Sequence, residues 1–329
     1  MLGPVNVLLT GALGMVGQHA LAELLKAGHR VRVLELPTPR NRKLANRLAA
    51  PGLELVWGDV RDELAVARAV EGQEAVAHLA AIIPPGSDRN PELAREVNVG
   101  GTRNVLRGMR RAGARRLVYT SSVAVFVQQP SRPPPRTADD PTGPTDPYSH
   151  HKLECEGMIR ESGLEFCILR FGAVVPPALP SVDFRVQMRM AFEIPVEQRI
   201  ETVDAQDAGL AVANAVAVAE AKGKTLLVGG GASSQLLFRD YMKAMLEAMG
   251  LRMFPDEAFG STPYHTEWLD SSEAQRLLRF QRHTFADFAR RYRQGRALLR
   301  PLVSAVAPLI WPFLLRLSPH WKRRRGLKA

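Results

Sequence analysis

The sequence predicts an α/β fold: a doubly wound parallel sheet with a small C-terminal substrate lobe and a basic apolar C-terminal tail. Three observations predict it. Short apolar runs bounded by turn residues alternate with amphipathic stretches, the pattern of buried parallel strands joined by helices. The first run, residues 5–9, leads directly into Gly11-Ala12-Leu13-Gly14-Met15-Val16-Gly17. Far downstream, Tyr148 and Lys152 have the spacing that stacks two side chains one helical turn apart.

Residues 5–9 are long enough for one buried strand, and the glycine string that follows opens a helix. The first glycine permits a tight turn, the second lets backbone approach a pyrophosphate, and the third lets helix pack on strand. Phosphate charge then rests on the helix N-terminus, so Gly11, Leu13, Gly14, Met15, Val16 and Gly17 are expected to hold a dinucleotide. The helix over 18–27 stops at Gly28, and 30–34 form a second strand closed by Glu35. An acid here binds adenosine ribose hydroxyls and repels a 2'-phosphate, so NAD is expected over NADP. Arg40, Arg42 and Lys43 follow closely and are within range of such a phosphate.

Residues 128–147 carry Pro133-Pro134-Pro135, Pro141, Pro144 and Pro147, so they form a loop that delivers the chain to the Tyr148 helix and borders the substrate. On that helix the Lys152 ammonium favours the phenolate of Tyr148, whose ordinary pKa of about 10 makes it a poor proton acceptor at neutral pH. Beyond, 176–200 is irregular and then mixed. Residues 202–207 return to the sheet before a helix over 208–221 and a strand over 225–228. A helix over 238–249 stops at Gly250, and Asp270-Ser271-Ser272-Glu273 caps a helix through Leu278. The division expected is a dinucleotide-binding domain over 1–175 with 202–228 returning to it, a substrate lobe from 176–201 and 229–295, and a tail over 296–329.

Taken together these strings resemble the extended short-chain dehydrogenase/reductase family, in its NAD-dependent epimerase/dehydratase branch, over about residues 5–290. Gly58-Asp59-Val60-Arg61-Asp62 follows a third strand, His78-Leu79-Ala80-Ala81 a fourth, and Asn98-Val99-Gly100-Gly101-Thr102 opens a helix. Thr120-Ser121-Ser122 ends a fifth strand, and Leu169-Arg170-Phe171-Gly172 follows a sixth. The resemblance implies a Rossmann-type sheet and roles for named residues. Asp59 would contact the adenine with Val60 beside it, and Ala80 and Ala81 would line the cofactor near phosphate and ribose. Ser122 would hydrogen-bond the reacting oxygen, Tyr148 would exchange its proton, and Lys152 would hold the nicotinamide ribose while lowering the tyrosine pKa. Asn98 would support its helix and a water near the site. Read without the resemblance, Asp59 is a loop acid, His78 a satisfied strand-end histidine, Asn98 a helix cap and Ser122 a turn hydroxyl.

Two departures matter. Val123-Ala124-Val125-Phe126-Val127 stands where relatives show an aromatic followed by glycine, so the floor of the site is shaped differently. His150 and His151 occupy positions usually small or neutral; a solvent-facing helix position is expected for them, the alternative being that a histidine so near Tyr148 tunes its pKa. Relatives acting on nucleotide sugars place an asparagine after the sixth strand and basic residues in the lobe. Neither can be matched here, leaving Arg185, Arg189, Arg199 and Arg252 as unspecific candidates.

The chain has 329 residues and two cysteines, Cys155 and Cys167, which excludes a disulfide framework or a cysteine-rich metal site and points to an intracellular protein. No signal peptide is expected, and a cytoplasmic location with the tail against the inner face of the membrane follows. The net charge of +11 is concentrated: residues 279–329 hold thirteen Lys or Arg against Asp287 alone, leaving the rest near neutrality. That distribution fits a docking tail, and no nucleic-acid-binding signature is present. In the tail Leu298, Leu302, Val306, Leu309, Phe313 and Leu317 recur at helical spacing, with Arg300 and Ser304 opposite. Pro301, Pro308 and Pro312 are expected to break or kink any helix. Trp311, Trp321 and Lys322-Arg323-Arg324-Arg325 suit the headgroup level, so 297–329 reads as an interfacial anchor; the competing reading is an arm packed on the protein's own body or on a partner in a homodimer.

The expected activity is NAD-dependent hydride transfer between a secondary alcohol or ketone and the nicotinamide, leaning to a sterol- or isoprenoid-like alcohol. Nucleotide-sugar epimerisation or dehydration, and a non-catalytic cofactor sensor, are the alternatives.

Overall fold

In the computed structural model, residues 3–48, 50–129, 132–175 and 184–324 are described. Strands β1 (Asn6–Thr10), β2 (Arg30–Glu35), β3 (Leu53–Trp57), β4 (Ala75–His78), β5 (Arg116–Ser122) and β6 (Glu165–Phe171) enter one parallel sheet. Two short strands, β7 (Ala173–Val175) and β8 (Arg199–Asp204), precede β9 (Lys224–Val228), and β10 (Gln235–Leu237) follows it. The sheet order β3-β2-β1-β4-β5-β6-β9 reverses direction next to β1, the doubly wound Rossmann-type arrangement expected. Ligands of such sheets lie outside the strand C-termini at that reversal, where the glycine turn after β1 and the loop after β4 meet.

Alternation along each strand builds one core on each side of the sheet. Val7 and Leu9 point into a core shared with the helices Met15–Lys26 and Ala205–Ala217. Leu8 points into the other, shared with the helices Glu63–Val70, Gly101–Ala112 and Pro147–Arg160. A third core, around Phe192, Phe238, Phe254 and Phe259, belongs to the remaining pieces outside the sheet.

Several expectations need correction. The string Leu169-Arg170-Phe171 lies within β6 and does not follow it. The segment read as returning to the main sheet at 202–207 instead ends β8 at Asp204 and opens the helix Ala205–Ala217, and β8 pairs with β7 in parallel and β10 in antiparallel fashion in a separate three-stranded sheet. The chain leaves β6 at Gly172, where a Cβ would stand 2.8 Å from the Glu201 carbonyl oxygen, so this crossing needs a glycine. Among the described residues only β9 rejoins the main sheet, beside β6.

The apolar part of the tail forms the helix Arg300–Leu315, which runs through both Pro308 and Pro312, and a short helix, Pro319–Arg324, follows it. Each proline lacks an N–H and costs helical bonding. Val303, Ala307, Ile310 and Leu314 nevertheless pack against the third core, and Leu315 is buried in it, so tertiary contact outweighs the local penalty. Trp311 and Trp321 correct the headgroup reading, because both pack toward that core; Trp311 stacks on Phe254 at 5.5 Å with Arg252 over its ring. Of the basic run, Arg325 and the side chains of Lys322 and Arg324 lie outside the described residues, as do 176–183. Among the described residues no helix is long and apolar enough to cross a membrane.

Candidate active site

The glycine turn is fixed by contacts that only hydrogen side chains permit. Gly11 has φ +73°, and a Cβ there would lie 2.7 Å from the Ala80 nitrogen; at Gly17 it would lie 2.0 Å from the Gly11 carbonyl oxygen. Gly14 differs, since a Cβ would meet only the Gly11 oxygen at 3.2 Å. Its openness faces outward from the turn. Gly14 caps the helix Met15–Lys26 with no side-chain hydrogen bond, so the first-turn N–H groups are left for a ligand. Leu13 is buried, while Met15 is 41% exposed and Val16 packs on the core from its edge. These features fit a pyrophosphate cradle.

Glu35 ends β2 beside this cradle, and its Oε1 accepts the Leu13 N–H at 2.9 Å. Burial lifts its carboxyl above the usual range, the backbone N–H groups of Leu13 and Ala12 and the charge of Arg40 pulling it back. Asn41 donates to its Oε2. Arg42, a candidate for a 2'-phosphate, lies over the Trp57 ring at 5.1 Å. Asp59 is engaged by its own loop: Arg61 donates to it from the backbone N–H, Nε and a terminal nitrogen. Val60 is 8% exposed and packs against Gly101.

Beyond β4, Ala80 and Ala81 lie partly buried, and the Ala80 N–H donates to the Thr10 hydroxyl at 3.2 Å. His78, fully buried, contacts Thr10 at 2.7 Å and Thr102 at 3.1 Å. Asn98 lies in a π-helical turn, Glu96–Gly100, that leads into the helix Gly101–Ala112. It caps nothing. Its amide instead clamps the loop after β4, accepting from the Ile82 N–H at 2.7 Å and donating to the Ile82 carbonyl at 2.9 Å. A π-turn of this kind re-aims one side chain within a helix, often at a functional site.

Ser122 ends β5, and Tyr148 and Lys152 stand on the helix Pro147–Arg160, whose N-terminus is fixed by a reciprocal cap between Asp146 and Ser149. The structure brings the three together. The Ser122 hydroxyl accepts the Ala124 N–H at 3.1 Å, and burial pushes the Tyr148 phenol up to about 12, the neighbouring Ser122 side chain working in the opposite direction. Lys152 is 3% exposed, and its ammonium donates to the Thr120 carbonyl at 2.6 Å and lies 5.7 Å from the centre of the Tyr148 ring. Burial lowers the ammonium to about 8. His150 is exposed as expected, whereas His151 is buried and lies 3.5 Å from the Asn98 amide. The solvent-facing reading fails for His151, because the helix packs that side against the π-turn.

Sequence reasoning missed the groups that hold this arrangement. Glu156, fully buried, receives two hydrogen bonds from Arg170 of β6 and one from Ser121 of β5, tying the helix to both strands next to Ser122. Their spacing carries no signal. Thr10, ending β1, bonds both His78 and Ala80, and only the pairing of β1 with β4 makes that visible. Among the lobe arginines, Arg199 forms a paired contact with Glu267 and Arg252 covers Trp311, while Arg189 is exposed on the helix Phe184–Glu193.

A family model described as NAD dependent epimerase/dehydratase family matches residues 7–191. The chain is 36% identical over 157 residues to a UDP-glucose 4-epimerase of Streptomyces lividans, covering 46% of each protein. It is 40% identical over 127 residues to a 3 beta-hydroxysteroid dehydrogenase/Delta 5-->4-isomerase of Mycobacterium tuberculosis, covering 37% of this chain and 33% of that protein. The matched region is thus less than half the length of these curated relatives. A crystal structure of a short-chain dehydrogenase/reductase superfamily protein from Agrobacterium tumefaciens with bound NAD is similar with a TM-score of 0.71 and 25% identity, over 91% of this chain and 99% of that one.

Proposed function

From a chain that belongs to the NAD dependent epimerase/dehydratase family, we infer an NAD-dependent oxidoreductase that transfers hydride between a secondary alcohol or ketone and the nicotinamide. The observation that carries the reading is the placement of the Tyr148 phenol beside Ser122 at the end of β5, with the buried Lys152 ammonium one turn along the same helix and 5.7 Å from the Tyr148 ring centre. Bound NAD would supply the hydride acceptor. Tyr148 takes the hydroxyl proton of the alcohol, or returns one to a ketone oxygen, and Ser122 steadies that oxygen by a second hydrogen bond. Lys152 supplies positive charge beside the phenol and, on moving from the Thr120 carbonyl, a donor for the nicotinamide ribose. Glu35 receives the adenosine ribose hydroxyls, which favours NAD over NADP.

Two observations favour a hydrophobic, sterol- or isoprenoid-like substrate over a nucleotide sugar. Gly172-Ala173-Val174-Val175 follows β6 without an asparagine. Arg199 and Arg252, basic candidates for a diphosphate, are already engaged by Glu267 and Trp311. A nucleotide-sugar epimerase is the second reading, supported by similarity to the Streptomyces protein. A homodimer in the cytoplasm is the assembly and place proposed.

The test mixes purified protein and NAD with lipid-like secondary alcohols and with nucleotide sugars, following reduced-cofactor absorbance and analysing products. A lipid-like alcohol is expected to accumulate NADH, and Tyr148→Phe to slow the reaction roughly 10²–10⁴-fold while NAD binding persists. Full activity in Tyr148→Phe would refute the assigned mechanism. Epimerised sugar without NADH would replace the substrate class.

A further inference from the structure

We propose that the outer face of the tail helix docks on an anionic lipid bilayer, and that one acyl chain of a membrane lipid enters the cavity beneath that helix. The cavity holds about 520 Å³ and lies between the helix Arg300–Leu315 and the end of the helix Phe238–Ala248. Leu251, Leu299, Val303, Ile310 and Phe313 form much of its wall, and its charged lining residues are Arg296 and Arg300. That volume is within the range of small-ligand sites.

The cavity opens onto an apolar stripe. Phe313 and Leu299 line it while remaining 65% and 60% exposed, and they continue into Leu298, Leu302 and Leu309 at 95%, 65% and 72% exposed. The opposite face of the same helix is already packed on the third core, so the stripe is surplus to folding. A contiguous exposed apolar face of this kind marks an interaction surface.

Charge selects the occupant. Arg296 is 7% exposed, donates to the Tyr292 carbonyl and covers the Tyr292 ring, and has no carboxylate partner among the described residues. A buried guanidinium without a counter-charge is costly, and a lipid phosphate at the cavity mouth relieves it. Arg300, which reaches the Glu247 carbonyl, stands beside it. Residues 296–329 carry eight Lys or Arg and no acid, so two tails meeting face to face would repel, whereas an anionic leaflet attracts. The helix is too short and too interrupted by Pro308 and Pro312 to span, so it lies along the interface.

This surface is independent of the nucleotide site, and its test does not use turnover. The full chain is floated with vesicles of phosphatidylcholine alone and of phosphatidylcholine mixed with phosphatidylglycerol. Flotation is expected only with the anionic vesicles, weakening as salt rises. Arg296→Gln and Arg300→Gln are each expected to weaken binding roughly fivefold. Leu302→Ser with Leu309→Ser, which alters exposed residues outside the cavity, is expected to abolish flotation while thermal midpoint and NADH titration stay unchanged. Native mass spectrometry of protein recovered from the vesicles is expected to find one phosphatidylglycerol per chain, lost in Val303→Phe, which fills the cavity. Equal flotation with neutral vesicles, or no flotation together with a dimer that the Leu302→Ser, Leu309→Ser variant dissociates, overturns the proposal.

Discussion

Tyr148 shows how far a spacing rule reaches at the scale of one residue. Its distance in sequence from Lys152 predicts a lysine-activated phenol on a helix, and the helix forms. The proton affinity follows packing instead. Burial pushes the phenol up to about 12 against the pull of Ser122, and burial also brings Lys152 down to about 8 while its ammonium is held by the Thr120 carbonyl. At neutral pH the phenol is therefore protonated, ready to donate in ketone reduction and unready to accept in alcohol oxidation. The oxidation rate is expected to rise about tenfold per pH unit from neutrality to about 8, the reduction rate staying level over that range. Above it Lys152 loses its charge. Stopped-flow rates in both directions check this, and a flat oxidation profile would assign the base to another group. Glu35 was legible because the fingerprint fixes its distance from the glycines, whereas the burial of His151 was not, since it depends on a π-turn more than fifty residues away in sequence.

At the scale of an element, the turn after β1 is the part most fully written in local sequence. Gly11 and Gly17 are required by contacts within the turn and with Ala80, while a Cβ at Gly14 would meet only the Gly11 oxygen, at 3.2 Å, and otherwise face open space. The two kinds of glycine are separable. Gly17→Ala is expected to lower the thermal midpoint and abolish dinucleotide binding together, because its methyl would meet the Gly11 oxygen. Gly14→Ala is expected to leave the midpoint within a few degrees and weaken NADH binding in a fluorescence titration. Equal loss of stability in both variants would mean that Gly14 serves the fold rather than a phosphate. The helix Pro147–Arg160 carries the opposite lesson: its apolar and turn residues announce it, yet Glu156, Arg170 and Ser121, which anchor it beside Ser122, come from three separate elements.

For the whole molecule, the doubly wound sheet places its reversal, the glycine turn and the loop after β4 at one edge, and buries His78 beneath them. Burial lowers His78 to about 3, with the Lys152 charge adding to the effect. The sign of the consequence follows. Between about 6.5 and about 3 the unfolded chain binds a proton that the folded chain refuses, so stability is intact at neutral pH and falls as pH drops through that window, by up to about 1.4 kcal/mol per pH unit for this one group. Urea midpoints at pH 7 and pH 5 are expected to differ less in His78→Gln than in the natural protein. An unchanged difference would remove His78 from the acid response. The tail belongs to this scale too, because Leu315 and Trp311 join the third core while Leu302 and Leu309 face outward.

The sequence by itself determined the strand and helix rhythm, the phosphate turn, the acid at Glu35 and the pairing of Tyr148 with Lys152, because each rests on residues within a few turns of one another. Tertiary structure alone decided that β8 leaves the main sheet, that Asp59 is taken by Arg61, that Ser122 reaches Tyr148, and that the tail helix survives its prolines. The physical reason is common to all four. Local sequence records backbone preference and periodicity, whereas partners and proton affinities are set by groups far apart in the chain that share one buried space.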